Sequence, residues 1–226
     1  MRAGILPLIA LLLLPGAGHA GSLPAIVAGA GNPVPKCVQP EALMRFVEER
    51  NAQRNLRIDP RFSNLASLYQ KIGQCVARPP AHCVGVRWDY AFFQMVIETN
   101  YLTFRRPDGT PASVVPQDNN FAGVGASISG RPGERFKDAP TGVLAHLQHV
   151  LMYSTTTIPE PVARRTRQVQ KDVQDVMRRL RRPVTFADLA RQWTGGGANA
   201  YASNMQRLAD RYASRYCASA SLDLAR

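Results

Sequence analysis

No stretch of this chain reaches the ~20 consecutive apolar residues that a helix needs to cross a bilayer. The longest apolar run, Ile5 to Leu14, is short and interrupted by Pro7. Flanked by Arg2 and by Gly18-His19-Ala20, it reads as a signal peptide over residues 1–20, cleaved before Gly21, so the mature chain is expected to be exported with no stable membrane span. Cysteine is scarce: Cys37, Cys75, Cys83 and Cys217 include no Cys-x-x-Cys pair, and only His82 stands close to one of them. That absence argues against the common zinc spacings and leaves disulfides as the expected state in an oxidising compartment. Three pairings are open; loop closure favours Cys75 with Cys83 and Cys37 with Cys217. His146 and His149 have no third ligand at a recognisable spacing, so neither a metal nor another cofactor is expected.

Acidic residues are few as well, 16 against 28 Lys and Arg, which gives a formal net charge of +12. Such a surface attracts nucleic acid, anionic membrane or a carboxylate-bearing wall polymer. Export disfavours nucleic acid, and the aromatic residues do not interleave with the arginines as a stacking platform. There is no internal repeat, and the length after processing suits one domain with a real core.

What is present is mainly helical periodicity. Residues 21–36, rich in Gly, Ala and Pro, read as a disordered or extended lead-in, and 218–226 as a tail to a domain spanning 37–217. Leu43, Phe46 and Val47 predict a helix over 40–52, with Pro40 in its first turn, and Leu65, Leu68, Tyr69 and Ile72 a second over 64–75. A third is expected over 88–104. Residues 105–138 are punctuated by Gly, Pro, Asn and Asp around short apolar pieces, which suggests a loop-rich lobe with at most a small β-hairpin. Helices resume with Val143, Leu144, Leu147, Val150 and Leu151, leaving His146 and His149 largely on the other face. A basic helix over 160–180 is expected to bury Val162, Val169, Val173, Val176 and Leu180. Its many arginines form either a solvated face or a polymer-binding patch. Thr185 and Asp188 resemble a capping box opening a short helix to Trp193, and Tyr201, Met205, Leu208, Tyr212 and Tyr216 mark the last helix.

Within the third helix, Glu98 follows the apolar run Phe92-Phe93-Gln94-Met95-Val96-Ile97. A carboxylate there is costly unless it is paired, hydrogen-bonded or protonated, and a neutral acid near pH 7 is what protonation of a glycosidic oxygen requires. The alternative is a glutamate on the wet side of a half-buried helix.

The order of Glu98, then Asn119-Asn120-Phe121-Ala122-Gly123-Val124-Gly125-Ala126, then Phe136 leading into Gly142-Val143-Leu144-Ala145-His146-Leu147-Gln148-His149, resembles the glucosaminidase domain of glycoside hydrolase family seventy-three, over about Arg87 to Tyr212. The resemblance implies a mainly α (α+β), lysozyme-like fold with a cleft between a helical lobe and a small loop-rich or β-hairpin lobe. It also implies hydrolysis of the β-1,4 bond on the reducing side of N-acetylglucosamine in peptidoglycan glycan strands. Glu98 matches the family's general acid. Asn119, Asn120, Phe121 and Gly123 match its Asn-Asn-x-Phe-Gly turn only approximately, and are expected to shape the cleft floor and hold sugar groups.

Two departures stand out. Glu98 is followed by Thr99-Asn100-Tyr101-Leu102 instead of Ser, a small residue, an aromatic and Gly, so contacts beside the acid, Tyr101 among them, are expected to differ. The late Tyr-Ala-Thr-Asp-like motif lacks its Asp, leaving Trp193 and Tyr201 as candidate aromatic walls, with core packing as the alternative. Glu134, between Gly133 and Arg135, is the candidate second carboxylate, with Asp118 and Asp138 as weaker ones. A surface ion pair for Glu134, and assistance from the substrate's own acetamido group, both stay open. Two other functional readings also stay open: a lytic transglycosylase on the same scaffold, and a non-catalytic peptidoglycan-binding protein.

Overall fold

Pro40 opens helix α1 (Pro40–Ala52), where its missing N–H costs nothing and Leu43, Met44, Phe46 and Val47 turn inward. In a computed structural model that describes residues 23–29, 33–74, 84–106, 108–126, 132–194 and 198–217, α1 is followed by six more helices. These are α2 (Leu65–Gly73), α3 (Trp88–Glu98), α4 (Ala139–Leu151), α5 (Arg164–Arg178), α6 (Phe186–Thr194) and α7 (Ala198–Tyr216). The architecture is mainly α. Among the described residues β pairing is limited to isolated bridges, Ala25 with Thr185 and Arg105 with Pro111, so the expected hairpin does not form. No described helix is long and apolar enough to cross a membrane.

Helices α3 and α4 lie at the centre and are buried on almost every side. The expectation that His146 and His149 face away from the apolar stripe is therefore corrected. Both are buried, because α4 packs against α2, α3 and α5 and the two rings fall within those contacts. Helix α2 approaches α3 closely at Gly73, where a Cβ would lie 2.4 Å from the Trp88 Cβ.

Helix α3 stops at Glu98, six residues earlier than expected. Asn100, Tyr101, Leu102 and Phe104 adopt positive φ angles of 46°, 61°, 62° and 53°. Left-handed backbone costs non-glycine residues roughly 1–2 kcal/mol each, and side chains hold it here. Leu102 N donates to Thr99 Oγ1 at 2.9 Å, buried Asn51 donates to the Tyr101 carbonyl at 2.7 Å, and Arg54 donates to Asn100 Oδ1 at 3.1 Å.

The basic helix is also reorganised. Its fully buried positions are Thr166, Gln174 and Met177; of the expected inward residues Val169, Val173 and Leu180 are partly buried against the core, whereas Val162 and Val176 are exposed. Glutamine amides dock it: Gln170 pairs with both the N–H and the carbonyl of Ile158, and Gln174 donates to the Thr156 carbonyl. The loop backbone at 156–158 needs partners, and polar side chains supply them where valines could not.

The segment expected to be a free lead-in is partly ordered. Leu23 and Ile26 are buried, Ile26 N donates to the Val184 carbonyl and Phe186 N to the Pro24 carbonyl. The capping box is present, with Thr185 N on Asp188 Oδ2 at 2.9 Å and Asp188 N on Thr185 Oγ1 at 3.3 Å. Cys37 and Cys217 form a disulfide across 180 positions, tying the entry of α1 to the exit of α7. Tyr212 reinforces the junction by donating to the Cys37 carbonyl at 3.0 Å. Cys75 and Cys83 lie outside the described residues.

Candidate functional site

Glu98 ends α3 at the point where α7 crosses it. The Tyr201 hydroxyl donates to Glu98 Oε1 at 2.5 Å, and the Trp193 indole N–H on α6 also faces the carboxyl. The other oxygen, Oε2, looks toward the turn on the far side: a Cβ on Gly123 would stand 3.8 Å from it. The residue is half-buried. Burial pushes its pKa from 4.5 up to about 7, overriding the Tyr201 and Trp193 hydrogen bonds, which favour the carboxylate.

The turn facing Glu98 is built from within. Asn119 takes a left-handed conformation, φ 49°, and donates to the Phe136 carbonyl at 3.0 Å. Asn120 is fully buried; its amide donates to the carbonyls of Val124 and Glu134, both at 2.9 Å, and its oxygen accepts from Val124 N at 2.9 Å. Phe121 is buried edge-on against Phe62, ring centres 5.2 Å apart. The expectation that Asn120 and Phe121 touch sugar is thus corrected to a scaffolding task, because their groups are spent holding the turn. Gly123 and Gly125, at φ 63° and 83°, shape its exposed edge.

Helix α4 sets the height of this turn. A Cβ on Gly142 would fall 1.8 Å from the Asn119 carbonyl oxygen, so helix and turn meet backbone to backbone. Glycine at that position of the resembling motif has a physical reason.

Glu134 stands beside Gly125, and its carboxylate accepts from the backbone N–H groups of Arg164 and Arg165 at 2.9 and 2.6 Å. It caps α5, a structural task beyond the surface ion pair considered from sequence. Asp118 accepts from Val115 N and Arg135, and Asp138 caps α4 through Thr141, so neither weaker candidate is free of a structural partner.

A groove of about 360 Å³ runs from Gly123, Gly125 and Ala126 past Trp193 to Val169, Val173 and Asp172 of α5. Trp193 forms one wall, backed by the His149 ring at 5.3 Å, and His149 is fixed through Nδ1 to Thr166 Oγ1 at 2.7 Å. Tyr201 lies deeper than a wall: it is buried and acts on Glu98. Tyr101 lies apart from this groove. The left-handed turn sends it against Phe46 and into a smaller pocket of about 280 Å³ with Arg50, Arg207 and Arg211. Among the described residues no cluster of three or more His, Cys, Asp or Glu could hold a metal ion.

Three further residues under the site escaped sequence reasoning. Fully buried Gln94, one turn before Glu98, accepts through Oε1 from His146 Nε2 at 3.2 Å, and His146 Nδ1 meets the Tyr69 hydroxyl at 2.7 Å. Gln94 was findable, since i and i+4 share a helix face. Tyr69 and His146 were not, because they converge on it from α2 and α4.

No family model matches the chain, and no solved structure matches it. An uncharacterized protein of Borreliella burgdorferi is 32% identical over 71 residues, 31% of this chain and 32% of that protein. The chain thus spans about a third of the length of that curated relative.

Proposed function

We propose that this chain is an exported peptidoglycan hydrolase of lysozyme-like type, cleaving the β-1,4 bond after N-acetylglucosamine with Glu98 as general acid. The observation that carries the reading is the Glu98 carboxyl, held near a pKa of 7 with one oxygen anchored on Tyr201 and the other turned to the glycine edge of a groove. A group poised there is part protonated at neutral pH, as an acid that must give up and regain a proton needs to be. Protonation of the glycosidic oxygen by Oε2 lets the C1–O bond break. The resulting carboxylate then takes a proton from the water that attacks C1. The basic surface suits a wall polymer bearing carboxylates.

The second catalytic group need not be protein. With Glu134 capping α5, the acetamido oxygen of the substrate is the better candidate for attack on C1, closing an oxazolinium ring that water opens. The same observation favours a second reading, a lytic transglycosylase. There the bond broken is the one after N-acetylmuramic acid: Glu98 protonates its glycosidic oxygen, the 6-hydroxyl of that muramic acid attacks its own C1 in place of water, and Glu98 as carboxylate accepts the hydroxyl proton.

Digestion of purified peptidoglycan with mass analysis of the new ends tests these readings. Wild-type protein is expected to release fragments ending in reducing N-acetylglucosamine; anhydro-muramic ends would select the transglycosylase. Glu98→Gln is expected to lose at least the ~10²–10⁴-fold that general acid catalysis contributes, and Glu134→Gln to lose far less. Retention on the wall with no release by wild type, or full release by folded Glu98→Gln, overturns the assignment.

A further inference from the structure

We infer that the pocket of about 280 Å³ lined by Arg50, Arg207 and Arg211 is an oxyanion site, which takes a carboxylate of the peptide borne by the wall polymer. This rests on the reading of the substrate as peptidoglycan and adds to it a place for a part of that polymer other than the sugar at Glu98.

Several basic residues around α5 have acids of their own. Lys171 and Arg178 share Asp175 at 2.9 and 2.8 Å, and Arg182 and Arg191 share Asp188 at 2.7 and 2.9 Å. The pocket between α1, α3 and α7 is different. Its three arginines are exposed, and among the described residues none of them meets a carboxylate; Arg50 and Arg207 donate to the neutral oxygens of Gln53 and Asn204. Glu49, the acid beside Arg50 in the chain, is already taken by Arg215 at 2.8 Å and by the Tyr216 hydroxyl at 2.9 Å. Three like charges around one cavity repel one another, and an anion seated between them removes that cost.

The lining says what kind of anion fits. A guanidinium is a planar fork of donors matched to the paired oxygens of a carboxylate or a phosphate. Val96, Ile97 and Leu208 add apolar surface and Tyr101 an aromatic side, which suits an alkyl group next to the charge better than a bare ion. That side is firmly held. Tyr101 keeps φ 61° with Asn51 on its carbonyl and Arg54 on the neighbouring Asn100, and strained backbone held in this way is found preferentially at ligand sites. The position also fits a side branch of the substrate. Ile97 directly precedes Glu98, and Arg207 follows Tyr201 on α7 by six positions, ~9 Å along the helix axis. A peptide of roughly three to five residues, at ~3.3 Å each, covers that span from a sugar held at Glu98.

Calorimetric titration with an N-acetylmuramyl peptide tests the site, because a single sugar offers no β-1,4 bond to cut and binding is read apart from cleavage. The probes are the peptide with free carboxylates, the same peptide with every carboxylate amidated, and inorganic phosphate. Wild type is expected to bind the free form at least about tenfold more tightly than the amidated one. Arg207→Gln with Arg211→Gln should remove that preference by weakening the free form to the level of the amidated one. Lys171→Gln with Arg179→Gln, which removes the same charge from α5, should change the Kd by no more than about twofold. Arg50→Gln approaches the pocket from α1 and decides the matter should the α7 pair fail to fold. Equal binding of the free and amidated peptides, equal losses in the α7 and α5 pairs, or binding of phosphate without binding of the peptide each overturns the proposal. Failure of wild type to release fragments from purified wall would instead sink the hydrolase reading, while a carboxylate preference lost with Arg207 and Arg211 would still uphold the site.

Discussion

Glu98→Gln is expected to stabilise the protein in a pH-dependent way that can be worked from the site. A carboxyl whose pKa rises from 4.5 unfolded to about 7 folded contributes stability that is complete below pH 4.5 and is lost progressively up to about pH 7. At pH 8 the folded state holds an ion in a site that prefers the neutral acid. The shift corresponds to about 3 kcal/mol, an upper bound because Glu98 is only half-buried and solvent screens it, so about 2 kcal/mol is the working expectation. Glutamine keeps the volume and the acceptor for Tyr201 but has no proton to lose. Its advantage over wild type should therefore be near zero at pH 4.5 and reach about 2 kcal/mol at pH 8, close to 1 M in the urea midpoint. His146 and His149, both pushed down to about 3 mainly by burial, act oppositely. Their stability is present above the ordinary histidine pKa of 6.5 and is lost as pH falls toward 3. They are common to both proteins and cancel in the difference. Urea unfolding of the pair at pH 4.5, 6 and 8, with the disulfide intact, is the assay. A midpoint difference that stays constant across that range would falsify the raised pKa and remove the physical ground for a general acid.

Cys37→Ser with Cys217→Ser releases a closure across 180 positions and should cost about 2–5 kcal/mol, read as a lowered urea midpoint that reducing agent reproduces in wild type; an unchanged midpoint would mean the two ends are held without the bond. Gly142→Ala puts a methyl into the Asn119 carbonyl and should cost about 1–3 kcal/mol or more, with cleavage falling further than the fraction folded because the turn opposite Glu98 must move. Wild-type stability and activity in that variant would show that helix and turn do not touch.

The helix positions were largely legible because apolar periodicity is a local property. Leu43, Phe46 and Val47 fixed α1, Pro40 fixed its first turn, and Thr185 with Asp188 announced α6, each signal lying within one or two turns of the residues it governs. The oddity of Glu98 was local too: a carboxyl in an apolar run is conspicuous whatever surrounds it. Where each of its oxygens points was not. That depends on Tyr201 arriving from 103 positions away and Gly123 from a turn with no regular structure, and no local pattern encodes either meeting. The exposed Val176 of α5 has the same origin, since only the packed structure shows that backbone groups at 156–158 need Gln170 and Gln174. Sequence likewise offered Glu134 as a carboxylate of the right kind in the right segment. The N-terminus of α5, delivered thirty residues later, decided what that carboxylate does, because exposed backbone N–H groups at a helix end hold any anion brought against them.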